Sequence, residues 1–300
     1  MQIGGFQLNN AADDIDHTSV FAILRPWIDV NNVGTMVLNE LERQFNAIEL
    51  GRLSRPGNFY DFTRYRPTIH TIHIDEEGIK DIRIPNTTVK LIKREGQDDI
   101  ILLRLLEPHN NAEFFIYSIM KLLKKLKASR YTLLGSMYDT VPHTRPLLIS
   151  GYGMGDSAIR DIGKINALPI VYHGPSTIVN LITKGAAESG IDATAFIVSI
   201  PQYVVLEEDY IAKVRLMEIL NMLYGIPINN EDIENAREQL NIINERIKNT
   251  PEIKVFLPQL EGIYDTRIRS TDKGYTPSMS PEMDELFWKT MGKDDDIGRA

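Results

Sequence analysis

The chain has 300 residues, 43% of them hydrophobic, and its 41 acidic and 33 basic residues give a net charge of −8. This acidic excess argues against nucleic acid or an anionic membrane as the main partner, because both require clustered Lys and Arg. The absence of cysteine excludes disulfide scaffolds, thiolate zinc sites and cysteine nucleophiles. The first 16 residues carry three aspartates and no basic segment, and no apolar run reaches the roughly 20 residues of a membrane span. We therefore expect a cytoplasmic protein.

In chain order, the hydrophobic pattern predicts strands that alternate with amphipathic helices. Residues 1–17 are polar and are expected to form a flexible lead-in. The main predicted strands cover residues 20–24, 48–53, 100–106, 131–137, 147–150, 169–172 and 193–200, and the predicted helices cover 31–46, 112–126, 177–189, 209–224 and 231–248. This alternation indicates an α/β fold around a largely parallel sheet. We assign 18–226 to an α/β core domain and 227–300 to a helical C-terminal extension with a partly disordered tail.

Four of the predicted strands end in polar loops that contain proline. These are the loops that follow Leu24, Met137, Tyr172 and Ile200. In open α/β sheets, ligands bind beyond the carboxyl ends of the strands. We therefore expect the four loops to share one rim and to form a cleft there.

The loop over 138–146 carries the densest set of functional groups. It holds Asp139, His143 and Arg145, and its two prolines restrict the backbone. Imidazole titrates near neutral pH and a guanidinium holds carboxylate or phosphate, so His143 and Arg145 are candidates for an acid–base or anion-binding group. For Asp139 we favour a structural function, in which it caps the turn and pairs with Arg145.

Further candidates lie on the neighbouring loops. Asp29 and Tyr203 belong to the loops after the first and last of the four strands. Asp61 and Arg66 lie in a loop rich in aromatic residues and arginine, where an ion pair within the loop is favoured over a ligand contact.

Tyr172, His173 and Gly174 precede a predicted helix. The N-terminus of a helix binds anions through its free N–H groups. A simple strand-to-helix turn capped by Ser176 is an equal alternative, and the sequence leaves both open.

Gly151, Gly153 and Gly155 follow a predicted strand in a pattern close to a dinucleotide fingerprint. The third glycine falls one residue early, and no acidic partner lies at the required distance. We therefore favour a flexible or anion-contacting turn over a nucleotide site. No metal site is predicted, because His70 and His73 are three residues apart on a predicted strand and face opposite sides. The sequence has neither a Walker loop nor a nucleophile elbow, which argues against a P-loop enzyme or a serine hydrolase, and no cofactor is predicted.

Taken together, several motifs resemble those of the PAC2 family, the proteasome assembly chaperone 2-like proteins. They are Arg25-Pro26-Trp27-Ile28-Asp29, Phe59-Tyr60-Asp61-Phe62 with Arg66-Pro67, Val141-Pro142-His143-Thr144-Arg145-Pro146, Tyr172-His173-Gly174-Pro175 and Ile200-Pro201-Gln202-Tyr203. The resemblance covers about residues 20–250. It implies a three-layer α/β sandwich similar to the phosphorylase/hydrolase-like fold, a helical C-terminal part and frequent self-association.

Two functions remain open at this point. The first is a non-enzymatic, assembly-chaperone-like module with a protein partner. The second is an enzyme or binder of a small anionic metabolite, such as a nucleoside or phosphate ester, in which His143 transfers a proton and Arg145 holds the anion. The sequence has no recognisable nucleophile, metal-ligand set or cofactor loop, which favours the first. We also expect a homo-oligomer, a dimer or trimer, associating through apolar helix faces and Leu286-Phe287-Trp288.

Overall fold

The computed structural model describes residues 1–71, 81–170 and 176–269, and these residues form twelve strands and seven α-helices. The strands are β1 (Gln2–Ile3), β2 (Phe6–Leu8), β3 (Thr18–Arg25), β4 (Ile48–Leu53), β5 (Thr68–Thr71), β6 (Asp81–Arg83), β7 (Thr88–Ile92), β8 (Asp99–Leu106), β9 (Ala128–Asp139), β10 (Ile149–Met154), β11 (Leu168–Pro169) and β12 (Asp192–Pro201). The helices are α1 (Val33–Gln44), α2 (Ala112–Lys125), α3 (Asp156–Ile165), α4 (Val179–Glu188), α5 (Tyr210–Tyr224), α6 (Asn230–Lys248) and α7 (Pro251–Arg269). No helix in these ranges is both long enough and apolar enough to span a bilayer.

Within the described residues, ten strands form one mixed sheet in the order β1-β2-β4-β7-β8-β3-β9-β12-β10-β11, and β5 pairs with β6 in a separate sheet. The four central strands β8, β3, β9 and β12 are parallel. The pairings outside this centre are antiparallel, except that β11 is parallel to β10. β3 and β12 are buried along nearly their whole length, as expected for strands covered on both faces.

Helices cover both faces of the sheet. One hydrophobic cluster, which includes Leu133 and Ile182, lies between the sheet and helices α2 and α4. A second cluster, which includes Phe196 and Leu216, lies between the opposite face and helices α1 and α5. Burying each such side chain stabilises the fold by about 1.5–3 kcal/mol. The α/β fold class predicted from the sequence, with its three layers, is thus confirmed.

The N-terminal residues differ from the expected flexible lead-in. Phe6 and Leu8 are buried in the hydrophobic core, and β2 pairs with β4. The backbone N–H of Gly5 donates a hydrogen bond to Oγ of Ser118 on α2. A strand of three residues is too short for its alternation to be read from the sequence, so only its pairing with β4 reveals it.

The glycine-rich segment also differs from the expected turn. Strand β10 continues through Gly151 and Gly153, and its end at Met154 pairs with Ala193 at the start of β12. A Cβ on Gly153 would lie 2.7 Å from the backbone of Ala158 in α3, so glycine allows that helix to pack closely on the strand. The segment therefore serves helix packing, at the edge of the sheet opposite the carboxyl ends of the parallel strands.

The C-terminal helices include one that the sequence pattern did not predict. Helix α7 begins at Pro251 and contains Pro258 in its interior, where proline removes a hydrogen bond and ordinarily ends a helix. Its buried Phe256 and Leu260 form a small cluster with Tyr203 that offsets this cost. The predicted apolar segment Leu286-Phe287-Trp288 lies outside the described residues.

Candidate functional site

The carboxyl ends of the parallel strands meet at one edge of the sheet, which we call the rim. Arg25 at the end of β3 is paired with Leu106 of β8, and Asp139 at the end of β9 is paired with Pro201 of β12. The loops over 26–32, 107–111, 140–148 and 202–209 leave the sheet at this rim. Three of the four loops predicted to share it are therefore brought together.

The strand before the fourth predicted loop runs in the opposite direction to the parallel strands. Strand β11 is parallel to β10 and therefore antiparallel to β12, so its carboxyl end points away from the rim. Tyr172, His173 and Gly174 lie outside the described residues. The rim gains instead the loop after β8, where Oε1 of Glu107 accepts a hydrogen bond of 3.1 Å from the backbone N–H of Ile178 at the start of α4. Burial raises the pKa of this carboxyl group.

Asn31 connects three of the rim loops. Its backbone has φ = 52°, a left-handed conformation that asparagine tolerates better than most residues. Its Nδ2 donates hydrogen bonds to the carbonyl of Val204 (3.2 Å) and to Oδ2 of Asp209 (3.4 Å). Its Oδ1 accepts a bond of 3.2 Å from the hydroxyl of Tyr138. The side chain thus fixes the relative positions of the loops after β3, β9 and β12.

Asp29 is buried at the start of α1, where it acts as a cap. One carboxylate oxygen accepts a hydrogen bond from the backbone N–H of Thr35 (3.1 Å), and the other accepts from its hydroxyl (2.5 Å). Arg25 lies 3.8 Å from the same carboxylate. Both oxygens of Asp29 are therefore engaged within the fold.

Asp61 and Arg66 lie on the loop after β4, and the backbone N–H of Asp61 donates a hydrogen bond of 3.1 Å to Nδ1 of His109 in the loop after β8. Oδ1 of Asp61 accepts hydrogen bonds from the backbone N–H and the hydroxyl of Thr63, and these bonds lower the pKa of the carboxyl group. Arg64 is 3.8 Å from the same side chain, in agreement with the favoured ion pair within the loop. Arg66 is exposed.

His143 and Tyr203 are brought into direct contact. The hydroxyl oxygen of Tyr203 accepts a hydrogen bond of 2.8 Å from the backbone N–H of His143 and lies 2.8 Å from Nδ1 of its ring. The ring and the hydroxyl are therefore hydrogen-bonded to each other, one donating and the other accepting. Burial lowers the pKa of His143 and raises that of Tyr203, so both shifts favour the uncharged side chains. A hydrogen bond with Asn244 links the ring to α6 and favours the protonated imidazole, in opposition to burial.

Arg145 and Asp139 do not pair with each other, contrary to the expected turn. Arg145 lies 3.2 Å from Glu261 and 3.5 Å from Asp265, both on α7. Asp139 lies 2.9 Å from Nη1 of Arg267, also on α7. It does cap its own turn as predicted, since Oδ1 accepts a hydrogen bond of 2.7 Å from the N–H of Thr140. Helix α7 therefore lies across the polar loop and supplies ionic partners to both charged residues.

A cleft of about 390 Å³ opens beside Asp139. It lies between the α4 side of the sheet, the N-terminal end of α4 and the side of α7. Its lining includes Leu133, Ala195, Ile197, Val179, Ile263 and Arg267. This volume is within the range of small-molecule sites, which are concave and mostly apolar with a few convergent polar groups.

Several residues of this region were missed in the sequence analysis. Asn31, Ser199, Glu261 and Arg267 each contact a predicted site residue or connect the rim loops. Of these, only Asn31 carried a local signal, as a polar residue just after a buried strand. The others act through partners more than 50 positions away in the chain. No group of three or more metal-ligating side chains occurs in the part of the chain that the structure describes.

The sequence matches the model of a known protein family. The model of the PAC2 family matches residues 23–247. Among curated protein sequences, none matches this chain.

Several solved structures have the same fold, and they include a proteasome-assembly chaperone homologue and a PAC2 family protein. A proteasome-assembly chaperone homologue of Mycobacterium tuberculosis has 22% identity and a TM-score of 0.67, over 76% of this chain and 94% of that chain. A PAC2 family protein of Streptomyces avermitilis has 24% identity and a TM-score of 0.67, over 77% and 95%. A Corynebacterium glutamicum protein of unknown function has 16% identity and a TM-score of 0.74, over 90% and 100%. These structures establish the likeness in fold, and the family match, which covers most of the sequence, shows that the chain belongs to the PAC2 family.

Proposed function

We propose that this protein is an assembly-chaperone-like interaction module that binds a protein partner through its rim. The observation that supports this most strongly is the exposure of four apolar side chains at the rim, two on its loops and two at the end of β9. Trp27, Met137, Tyr138 and Val205 are between 39% and 66% exposed. Large apolar and aromatic side chains exposed together typically mark interaction sites, and Trp and Tyr dominate binding energies in such sites.

The hydrogen bonds of the rim hold this apolar surface in place. Tyr138 bonds to Asn31, and Val205 follows Val204, whose carbonyl also bonds to Asn31. Met137 follows Ser136 and Trp27 precedes Ile28, and a backbone hydrogen bond joins Ser136 to Ile28. A Cβ on Gly135 would lie 2.8 Å from the carbonyl oxygen of Ile28, so glycine allows the loop with Trp27 to approach β9. Preorganised loops lose less conformational entropy on binding than mobile ones, which favours association.

The acid–base alternative has less support from the geometry. Its proton-transfer residue, His143, is buried against Tyr203, and its anion-binding residue, Arg145, already has carboxylates of α7 beside it. Both residues also line a second cleft of about 290 Å³ with Ile243 of α6, but the imidazole Nδ1 and the guanidinium are already paired there.

The partner that we propose is a proteasome subunit, since a structural relative is described as a proteasome-assembly chaperone homologue. The test is to mix the protein with purified, unassembled proteasome α- and β-subunits of its own organism and to measure complex formation by size-exclusion chromatography with light scattering. We expect a complex with one subunit type and faster assembly of the particle in its presence. Absence of a complex with either subunit would contradict the proposal.

Matched variants locate the binding surface. Trp27→Ala with Val205→Ser should weaken the complex by about 2 kcal/mol or more, the typical contribution of a central aromatic residue. Ile159→Ser with Ile242→Ser removes equally exposed apolar side chains from α3 and α6 and should leave affinity unchanged. Equal affinities of the two variants would exclude the rim as the contact surface.

A further inference from the structure

The cleft beside Asp139 extends from the rim, where Met137 and Tyr138 line it, onto one face of the sheet. Its floor is the sheet, with Leu133, Ala195 and Ile197, and Val179 and Ile263 contribute apolar side chains from α4 and α7. Site volumes of about 300–1,000 Å³ accommodate small molecules, and 390 Å³ lies at the lower end of that range.

The uncharged polar groups of the cleft are hydroxyls and one amide. Ser150, Tyr152, Thr177, Asn180 and Ser199 supply them. The hydroxyl of Tyr152 donates a hydrogen bond of 3.0 Å to Oδ1 of Asn180, and Nδ2 of this amide donates one to Oγ of Ser176. Such groups bind neutral donors and acceptors without requiring a counter-charge.

The charged groups of the cleft compensate each other. Nη1 of Arg267 is 2.9 Å from Oδ2 of Asp139, and Oγ of Ser199 donates a hydrogen bond of 2.8 Å to the same oxygen. The Arg267 side chain is only 12% exposed. An anionic ligand would therefore meet a guanidinium that is already paired and a carboxylate of its own sign.

The start of α4 is compensated as well. A helix N-terminus attracts anions through its free N–H groups. Here the N–H of Ile178 is already bonded to the carboxyl group of Glu107. Among the described residues, the carboxyl group of Glu107 therefore already lies at this helix end, where it would oppose a second acidic group.

We propose that this cleft binds an uncharged, largely apolar small molecule with a hydroxyl or amide group, and that it discriminates against anions. The apolar body would cover the sheet face, and the polar group would pair with the hydroxyls and amide of the wall. A carboxylate or phosphate would lose its hydration without gaining a free counter-ion, which is costly in an apolar site. Met137 and Tyr138 line both the cleft and the rim, but the sheet-face and α4 residues that carry this inference lie outside the proposed protein contact, so the inference goes beyond the proposed function.

The test uses two probes of nearly equal size that differ in charge, indole-3-acetamide and indole-3-acetate, with calorimetry and ligand-observed NMR on the full chain at pH 7. We expect the amide to bind at least about tenfold more tightly than the carboxylate. Equal or tighter binding of the carboxylate, or no binding of the amide at millimolar concentration, would overturn the proposal.

Two variants locate binding and test the charge argument. Thr177→Trp fills the mouth of the cleft from a half-buried loop position and should abolish amide binding, whereas Ser189→Trp at the other end of α4 should not. Asp139→Asn removes the carboxylate that neutralises Arg267, so the affinity for indole-3-acetate should rise severalfold while amide binding stays constant. Unchanged probe binding in Thr177→Trp, or unchanged acetate affinity in Asp139→Asn, counts against the proposal. Circular dichroism confirms that each variant is folded.

Discussion

At the scale of single residues, the polar loop over 138–146 is organised by partners outside it. His143 is buried against Tyr203, Asp139 lies beside Arg267 and Ser199, and Arg145 lies beside carboxylates of α7. Buried polar groups of this kind are stable only when paired, since an unpaired one costs about 1–3 kcal/mol. The loop that looked most chemically active in the sequence is therefore also a strong attachment point for the C-terminal helices. Whether His143 acts chemically stays a prediction.

The burial of His143 predicts a pH dependence of stability. Its pKa in the folded protein lies below that of the unfolded chain, about 6.5, so the unfolded chain takes up the proton first. The stabilisation from the neutral ring should therefore be complete above pH ~6.5 and should be lost as the pH falls through the folded-state pKa. Urea unfolding at several pH values between about 7 and 5 measures this loss.

The matched variant for this prediction is His143→Asn, which keeps an acceptor near the position of Nδ1 but does not titrate. Its unfolding free energy should fall less steeply with decreasing pH than that of the wild type. His17→Asn, at an exposed position, should keep the wild-type slope. Identical slopes for His143→Asn and the wild type would show that the imidazole is not the titrating group.

At the scale of elements, the C-terminal helices are attached to the core by ionic contacts as well as apolar ones. Lys213 of α5 lies 2.6 Å from Asp232 of α6 and 3.4 Å from Glu40 of α1, and all three side chains are at least 93% buried. Arg43 pairs with Glu40 from the solvent side at 2.8 Å. Such a cluster fixes the register of three helices, because each charge is tolerated only beside its partners.

Removing the cation of this cluster should destabilise the fold strongly. Lys213→Met removes the cation from buried Asp232, leaves Glu40 with Arg43 alone, and is expected to cost about 3–5 kcal/mol in urea unfolding. Adding Glu40→Gln and Asp232→Asn in the same chain should recover part of the loss. Arg43→Ala, whose side chain is 63% exposed, should cost less than about 1 kcal/mol. A loss from Lys213→Met no larger than that from Arg43→Ala would contradict this account.

The attachment of α7 to the rim can be tested at Asp139. Asp139→Ala removes the acceptor for Arg267, Ser199 and Thr140, and hydrogen bonds to charged groups contribute about 1.5–3 kcal/mol each. Hydrogen exchange of the α7 amides should therefore become at least about tenfold faster, while exchange in the central strands stays unchanged. Asp265→Ala, which breaks a longer and more exposed contact of 3.5 Å, should change α7 exchange little.

At the scale of the whole molecule, the order of the strands decides where the site can form. Parallel β8, β3, β9 and β12 place their carboxyl ends together, and antiparallel neighbours on either side extend the sheet without adding to that rim. The helix layer formed by α2 and α4 also carries apolar side chains on its outer face. On α2, the rings of Phe114 and Tyr117 are stacked 6.1 Å apart and about half exposed, and on α4 Leu181 is 57% exposed.

These outer faces support the expectation of self-association. We expect light scattering at micromolar concentration to report a dimer or trimer, since exposed apolar faces of this kind usually become buried between subunits. Tyr117→Ser with Leu181→Ser should shift the mass toward the monomer, whereas Ile159→Ser on α3 should not. A monomeric wild-type protein would refute the expectation.

The sequence by itself determined the order and type of the main strands and helices, the α/β class and the family. These features depend on hydrophobic periodicity and short motifs, which are local properties of the chain. It also indicated that the polar loops after β3, β9 and β12 meet, because parallel strands place like ends together.

Only the tertiary structure decided which charges pair and what covers the site. Arg145 and Asp139 are six residues apart, yet each pairs with α7, more than 110 positions further along the chain. Pro258 lowers the local helix propensity of this segment. The apolar cluster that α7 forms with Tyr203 exists only once distant segments of the chain have come together. The compensated charge of the cleft follows from the same long-range pairing, since Coulomb and packing energies depend on distances in space that no local pattern encodes.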